Sequence, residues 1–498
     1  MARLGSTKVK TGCKTCKIRK VKCDETWPQC QRCQKTGRTC DGYQAPPTGS
    51  LSWDLLLRPQ PSTTPARDSH ELRSLAFFHQ VVAPVLSGPF DPSFWTHLVA
   101  QATHHEPATR HAVLAISSFF ETFSETTCVA ADNPFAIQHY NRAIKRLLTE
   151  PMHDVDSVLT VCVLFICIEF LRGDKEAAIN HTRHGIRLLS TKRGPSQLTP
   201  VFCYIHLFPL FFGATVTEIP LMVDGPGPGS TFQSMLEAKH SLDVIMARTV
   251  WLVRRTEGWQ IGATPEEENG PTPAMFEEQR ELAESYRAWD GSFARFQARQ
   301  GTETKKDAAS LALRIRWLTC SIWVDNCLKK GEMMYDAYRE QGKSMVEMAR
   351  CALALDEKAG RRKKFMFDMG FSPILHFLAL KCRYLHTRVA ALALLKGLAC
   401  PRESLWDAVA MQAVGRKVIE VEHDIELRPE AVRVDNEFSD DEAGLPPEKD
   451  RIRGYVLLDR DDFRAKEGVS VYQRPVCLLA FGEDGGLARR HEWVTVYT

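Results

Sequence analysis

Six cysteines fall within 28 residues as Cys13-x2-Cys16-x6-Cys23-x6-Cys30-x2-Cys33-x6-Cys40, so the second half repeats the first at an offset of seventeen. Each Cys-x2-Cys lets two thiolates converge from one tight turn onto a cation. Six intervening residues leave room for about two helical turns before the third ligand. Each half therefore supplies three sulfurs. A tetrahedral zinc takes four ligands, so six thiolates satisfy two Zn²⁺ only if two of them bridge, by symmetry one from each half. Ile18, Val21 and Trp27 are nearly all the apolar residues of the segment, so metal binding is expected to supply most of its folding free energy. RING, LIM and Cys2His2 fingers need eight ligands or paired histidines, and no histidine precedes His70. Residues 1–12 are polar and basic with no apolar run, so no signal peptide is expected. A chain on the reducing side of the cell does not use such a cluster for disulfides.

Charge is distributed unevenly. Residues 1–43 hold eleven Lys/Arg against three Asp/Glu, a surplus of eight; with a whole-chain formal charge of +3, the remainder carries −5. A small basic head on a mildly acidic body points to an anionic polymer as partner for the head alone. Between Cys16 and Cys23 runs Lys17-Ile18-Arg19-Lys20-Val21-Lys22, whereas the second half offers only Arg32, Lys35 and Arg38. On a helix, Ile18 and Val21 share a face expected to pack inward, and Lys17 and Lys20 share one facing out. The asymmetry nominates the first half as the reader of double-stranded DNA and the second as a brace. The same run, with Lys8 and Lys10, also suits a nuclear-import signal.

Residues 13–40 resemble the fungal Zn2Cys6 binuclear-cluster family. The resemblance implies two Zn²⁺ bridged by the first and fourth cysteines, Cys13 and Cys30, and a loop-shaping proline two residues before the fourth, where Pro28 stands. It also implies that the lysine three residues before the third cysteine, Lys20, contacts the bases of a CGG-type triplet in the major groove. Lys14, Lys17, Arg19 and Lys22 then mainly hold phosphates. A nuclear transcription regulator is the function implied, with transcription machinery or co-regulators as further partners. The alternative from another class is a zinc-stabilised protein-interaction module without DNA reading, which has no need of so basic a head.

The expected organisation is a basic arm (1–12), the cluster module (13–43), a Pro/Ser/Thr linker (44–68) and a body (69–498). The linker carries five prolines among serines and threonines and cannot build a packed helix. Many members of the family dimerise through a coiled coil after the cluster. Here only Leu51-x-Trp53-x-Leu55-Leu56-Leu57 stands there, too short for the heptads required, so the oligomeric state stays open between a monomer and dimerisation through the body.

The body reads as α-helical, making the chain mostly α overall. Asp91-Pro92 and Asn133-Pro134 are N-cap and first-turn signals. Residues 158–172 and 176–189 form a helix hairpin broken at Gly173-Asp174, and further helical patterns occupy 231–256, 275–300, 305–340, 345–359, 373–398 and 403–425. The most apolar stretches, 158–171 and 201–216, are too short to span a bilayer and contain Glu169, His206 and Pro209; both read as buried core helices, with no membrane partner expected. Breaks fall at 224–230, 262–273 and an acidic loop at 435–447, and short β-like runs stand at 455–458 and 469–472. Ten further cysteines among apolar neighbours are expected to be core thiols. No Gly-x-Ser-x-Gly, Walker, Rossmann or His-Glu-x-x-His motif is present, so no enzyme is expected. Behind such a cluster, a helical body resembles the fungal-specific regulatory region, best over 136–189 and 372–398. That resemblance implies control of activity and admits a small-molecule effector.

Overall fold

The computed structural model describes residues 11–43, 69–90, 93–124, 129–130, 133–149, 154–192, 194, 196–214, 216–222, 224–262, 270–300, 307–359, 363–428, 432, 444–458, 464–465, 471–482 and 486–497. The expected basic arm, the linker with Leu51 to Leu57, the Asp91-Pro92 signal and the acidic residues 435–443 lie outside them. The chain divides into two compact units, Met1–Pro65 and Ala66–Thr498. The first holds helices α1 (Lys14–Ile18) and α2 (Gln31–Lys35).

The second unit is mostly helical, and local chemistry sets its boundaries. Helix α3 (Ser69–Phe77) runs through a π turn into α4 (Ala83–Ser87). A second π turn leads into α5 (Val99–His105), followed by α6 (Pro107–Glu121). Helix α7 (Pro134–Thr149) starts where Asn133 Oδ1 accepts the Ala136 N–H at 2.7 Å. Helices α8 (Val155–Arg172) and α9 (Lys175–Thr191) make the expected hairpin: Gly173 closes α8 at a left-handed φ of 73°, and Asp174 caps α9 through Ala177 N. Helix α8 is buried almost all round over 159–171, which explains its apolar run. The buried Glu169 carboxylate accepts from Tyr140 Oη at 2.6 Å and Arg172 Nη1 at 2.9 Å. Among the described residues no helix is long and apolar enough to cross a membrane.

Three expected elements divide. Residues 201–216 form two short helices, α10 (Thr199–Ile205) and α11 (Leu207–Phe211), because Pro209 has no N–H for the Ile205 carbonyl. After α12 (Met235–Gln260) and α13 (Pro273–Gln300), the 305–340 pattern yields α14 (Ala308–Asn326) and a separate 3₁₀ turn at Met333–Tyr338, parted at Gly331 with φ 112°. Beyond α15 (Arg339–Ala359), the 373–398 pattern is two helices, α16 (Ser372–Lys381) and α17 (Leu385–Leu398). Between them Arg383 turns inward, fully buried, onto Glu332 at 3.0 Å and Glu422 at 3.1 Å.

The last helix, α18 (Ala408–His423), starts five residues later than the expected 403, behind a small hairpin of β1 (Arg402–Glu403) and β2 (Trp406–Asp407). The C-terminal sheet is larger than its sequence implied. Strands β4 (Val471–Phe481) and β5 (Leu487–Tyr497) pair antiparallel from Val471↔Tyr497 to Phe481↔Leu487, and β3 (Gly454–Leu457) joins the other side of β4. Val476, Leu478, Val494 and Val496 pack this sheet onto Val414 and Val418 of α18. Of the scattered cysteines, Cys167, Cys203, Cys320, Cys327, Cys382, Cys400 and Cys477 are buried and Cys162 is half-buried; Cys351 is exposed, against expectation, and Cys128 lies outside the described residues.

Candidate metal centre

The six N-terminal cysteines gather their sulfurs into two tetrads. Cys13, Cys16, Cys23 and Cys30 form one, Cys13, Cys30, Cys33 and Cys40 the other, with all sulfurs of a tetrad within 4.8 Å of one another. Cys13 and Cys30 stand in both, 3.7 Å apart. Sulfur separations of 3.7 Å for Cys16–Cys30 and 3.9 Å for Cys13–Cys33 match the edge of about 3.8 Å that a tetrahedron with Zn–S bonds of about 2.3 Å requires. None of the six forms a disulfide. The donor set fits a binuclear zinc site.

Backbone geometry repeats with the sequence. Cys13 and Cys30 are the N-caps of α1 and α2, their sulfurs accepting from Cys16 N at 3.4 Å and Cys33 N at 3.3 Å. Cys23 accepts from Cys13 N at 3.4 Å, and the backbone N–H of Cys30 lowers the Cys40 thiol below its ordinary value. Both helices end in the same motif: Lys20 N and Val21 N donate to the Lys17 and Cys16 carbonyls, as Gly37 N and Arg38 N do to Gln34 and Cys33. The left-handed pair Lys20 and Gly37 is matched by a second, Glu25 and Gly42, again seventeen apart.

Burial pushes the Cys30 thiol up to about 12. Burial raises Cys23 as well, but the Cys13 and Glu25 N–H groups and the Tyr43 hydroxyl outweigh it and hold that thiol at about 7. Six clustered sulfurs cannot all ionise without a cation between them, so loading the site releases protons.

The structure corrects the expected first helix. It ends at Ile18, about one turn long rather than two, and Lys20 lies beyond it in the closing left-handed turn. Ile18 is 78% exposed, not packed inward, and Trp27 is 80% exposed. Among the described residues, Val21 and Tyr43 are the hydrophobic side chains that pack on the cysteines. The shared-face argument fails because two turns of helix never form. Lys14, Lys17, Lys20 and Lys22 are exposed. Arg19 is half-buried and donates to Thr36 Oγ1 at 3.3 Å, tying the two halves together.

Sequence reasoning missed the polar residues that brace the module. Asp24 caps α2 by accepting from Gln31 N at 3.2 Å and Arg32 N at 2.7 Å, and Thr26 Oγ1 also accepts from Gln31 N. The Thr26 hydroxyl, then these backbone donors, hold the Asp24 carboxyl at about 2. Thr15 Oγ1 donates to Asp41 Oδ2 at 2.7 Å, and Tyr43 Oη to the Thr26 carbonyl at 2.8 Å. The Asp24-x-Thr26 pair just before the second Cys-x2-Cys was the available signal.

Residues 11–50 match the family model of the fungal Zn(2)-Cys(6) binuclear cluster domain. Those residues form a domain of the fungal Zn2Cys6 type. Behind the cluster domain, residues 73–261 match the fungal specific transcription factor domain, which takes in 136–189 but not 372–398. Similar proteins include the aspercryptin biosynthesis cluster-specific transcription regulator atnN of Emericella nidulans, 29% identical over 44% of this chain and 41% of that protein. Transcription regulator lscL of Purpureocillium lilacinum is 29% identical over 36% of this chain and 49% of its own. Transcriptional regulatory protein moc3 of Schizosaccharomyces pombe is 33% identical over 19% of each. The chain thus spans less than half the length of each of these relatives. No solved structure matches the chain.

Proposed function

We propose that the chain is a sequence-specific DNA-binding transcription regulator acting in the nucleus. Cys13 and Cys30 bridge two Zn²⁺, with Cys16 and Cys23 completing one coordination sphere and Cys33 and Cys40 the other. The observation that carries this reading is the pair of sulfur tetrads sharing Cys13 and Cys30, from which α1 and its closing turn project an exposed Lys20. Lys20 donates to guanine O6 and N7 of a CGG-type triplet, and Lys14, Lys17 and Lys22 hold phosphates. Arg19 contributes mainly as the brace on Thr36. Residues 13–43 are the DNA-binding module, 44–68 a linker and 69–498 the regulatory body, which engages transcription machinery or co-regulators. The name of the aspercryptin relative favours a pathway-specific role in secondary metabolism for this chain too.

Selection from random duplexes with the zinc-loaded protein tests this. Enrichment of CGG-containing sites is the expected outcome. Recovery of no motif from a correctly metallated protein makes the cluster a structural or protein-binding module instead. Genome-wide occupancy combined with deletion transcriptomics then identifies the genes controlled and the direction of control.

A further inference from the structure

The outward stripe of α1 is Lys14, Lys17 and Ile18, spaced i, i+3 and i+4 and all exposed, while Cys16 and the N-cap Cys13 turn their sulfurs to the metal centre. Ile18 leaves 78% of its surface in water and does not join Val21 and Tyr43 on the cysteines. Nor does it serve the helix: a β-branched residue is a weaker helix former than lysine, and the last turn of a helix favours a cation. The second half shows what the position carries when it only meets solvent. Seventeen residues on, the stripe of α2 reads Gln31, Gln34 and Lys35, exposed throughout, with Lys35 in the place of Ile18. Neither packing nor helix stability accounts for an isoleucine here, in the half that holds the cations.

Its neighbours restrict what Ile18 can meet. Lys14, Lys17, Lys20 and Lys22 stand exposed on either side of it in the chain. Ile18 and Lys20 are two residues apart, so their Cα atoms lie within about 7 Å, the rise of about two base-pair steps. A surface that seats Lys20 on guanine in the major groove therefore brings Ile18 against the neighbouring pairs. The base edges in that groove offer hydrogen-bond donors and acceptors, and their one apolar substituent is the C5-methyl group of thymine. Branching at Cβ holds an isoleucine on a helix largely to one rotamer, so its methyl groups present a fixed apolar surface.

From this placement we infer that Ile18 is a second specificity-determining residue, which reads a thymine beside the triplet by packing against its C5-methyl group. The inference rests on the DNA-reading assignment and adds to it. Lys20 sets the preference for guanine within the triplet, and Ile18 sets a preference for thymine outside it. The triplet CGG contains no thymine on either strand, so the two preferences fall on different base pairs and are measured separately.

Selection from random duplexes with the full-length, zinc-loaded protein is expected to enrich a thymine, on either strand, within about three base pairs of CGG. Replacing that thymine by deoxyuridine removes the methyl group and leaves every hydrogen-bonding group in place. With the unaltered protein this replacement is expected to weaken equilibrium binding about fourfold, the worth of one buried methyl group. With Ile18→Ala it is expected to make no difference, while zinc content and the preference for CGG are retained. Ile18→Val, which keeps the branch at Cβ, should restore most of the fourfold effect. No thymine enriched beside a selected CGG, a deoxyuridine site bound as tightly as its thymine parent, or an unchanged fourfold loss with Ile18→Ala overturns the inference and leaves the reading of CGG standing. Loss of zinc from Ile18→Ala makes Ile18 a structural residue and overturns it as well. Failure to select CGG at all defeats both.

Discussion

Lys20 and Gly37, seventeen residues apart, hold the same place in the two halves of the cluster module: each is the left-handed residue that closes a five-residue helix, with φ of 54° and 62°. Glycine takes that conformation freely, whereas an L side chain is strained there by about 1–2 kcal/mol. The half read as the DNA-contacting one tolerates the strain and carries a lysine; the bracing half does not.

Lys20→Gly should therefore separate stability from recognition. Thermal unfolding of the zinc-loaded module is expected to show equal or slightly higher stability, by up to about 1 kcal/mol, while preference for CGG over random duplex falls by about 1–3 kcal/mol. Gly37→Ala should act the other way, destabilising the module by about 1 kcal/mol with base preference intact. A Lys20→Gly protein that keeps its site preference removes Lys20 from base reading.

Metal stoichiometry distinguishes bridging from terminal cysteines. The unaltered protein should hold two zinc ions by elemental analysis, and chelation should unfold the module with proton uptake by its thiols. Cys16→Ser or Cys33→Ser weakens one site, leaving a second metal measurable. Cys13→Ser or Cys30→Ser should weaken both together. Indistinguishable behaviour of the four variants contradicts the shared-corner arrangement.

Acid should loosen the body through His376. Burial holds this imidazole down to about 3, and its Nε2 lies 3.0 Å from Tyr455 Oη. Because its folded value lies below the ordinary one, its contribution is present above about pH 6.5 and is lost as pH falls towards 3. Between pH 6.5 and 5 the loss amounts to about 2 kcal/mol. Urea titrations of the unaltered protein and of His376→Gln should show a shallower pH dependence in the variant over that range; parallel curves would assign the acid sensitivity elsewhere.

Glu422 is the buried centre of a charge cluster. Its carboxylate meets Arg383 at 3.1 Å and Arg388 at 2.6 Å, all three side chains fully buried, and accepts the Ile452 N–H at 2.6 Å. Glu422→Gln leaves the Arg388 guanidinium without its counter-charge, while Arg383 keeps Glu332 at 3.0 Å, and should cost about 3–5 kcal/mol in denaturant unfolding. A loss below about 1 kcal/mol would mean that water reaches the arginines.

The cysteine framework was legible because ligand number and spacing obey coordination chemistry, and a seventeen-residue repeat predicts symmetry without coordinates. Hairpin α8–α9 was legible because Gly173-Asp174 combines a helix stop with a helix start. Ile18 misled because helical spacing was assumed across a segment that turns at Lys20, a residue with no sequence signal for left-handed backbone. Arg383 gave no warning either: its break in 373–398 is set by Glu332 and Glu422, 51 and 39 residues away. In the last sheet, Pro475 and the run Arg489-Arg490-His491 obscure the alternation that marks a strand.

Central to the account is that zinc organises an exposed Lys20 to read bases. The most direct measurement is equilibrium binding of the zinc-loaded protein and of Lys20→Ala to CGG-containing and scrambled duplexes across a salt series. The predicted result is steep salt dependence on both duplexes, with a CGG preference that Lys20→Ala reduces by about 1–3 kcal/mol. Equal losses on both duplexes at fixed salt would make Lys20 a phosphate contact and contradict the account.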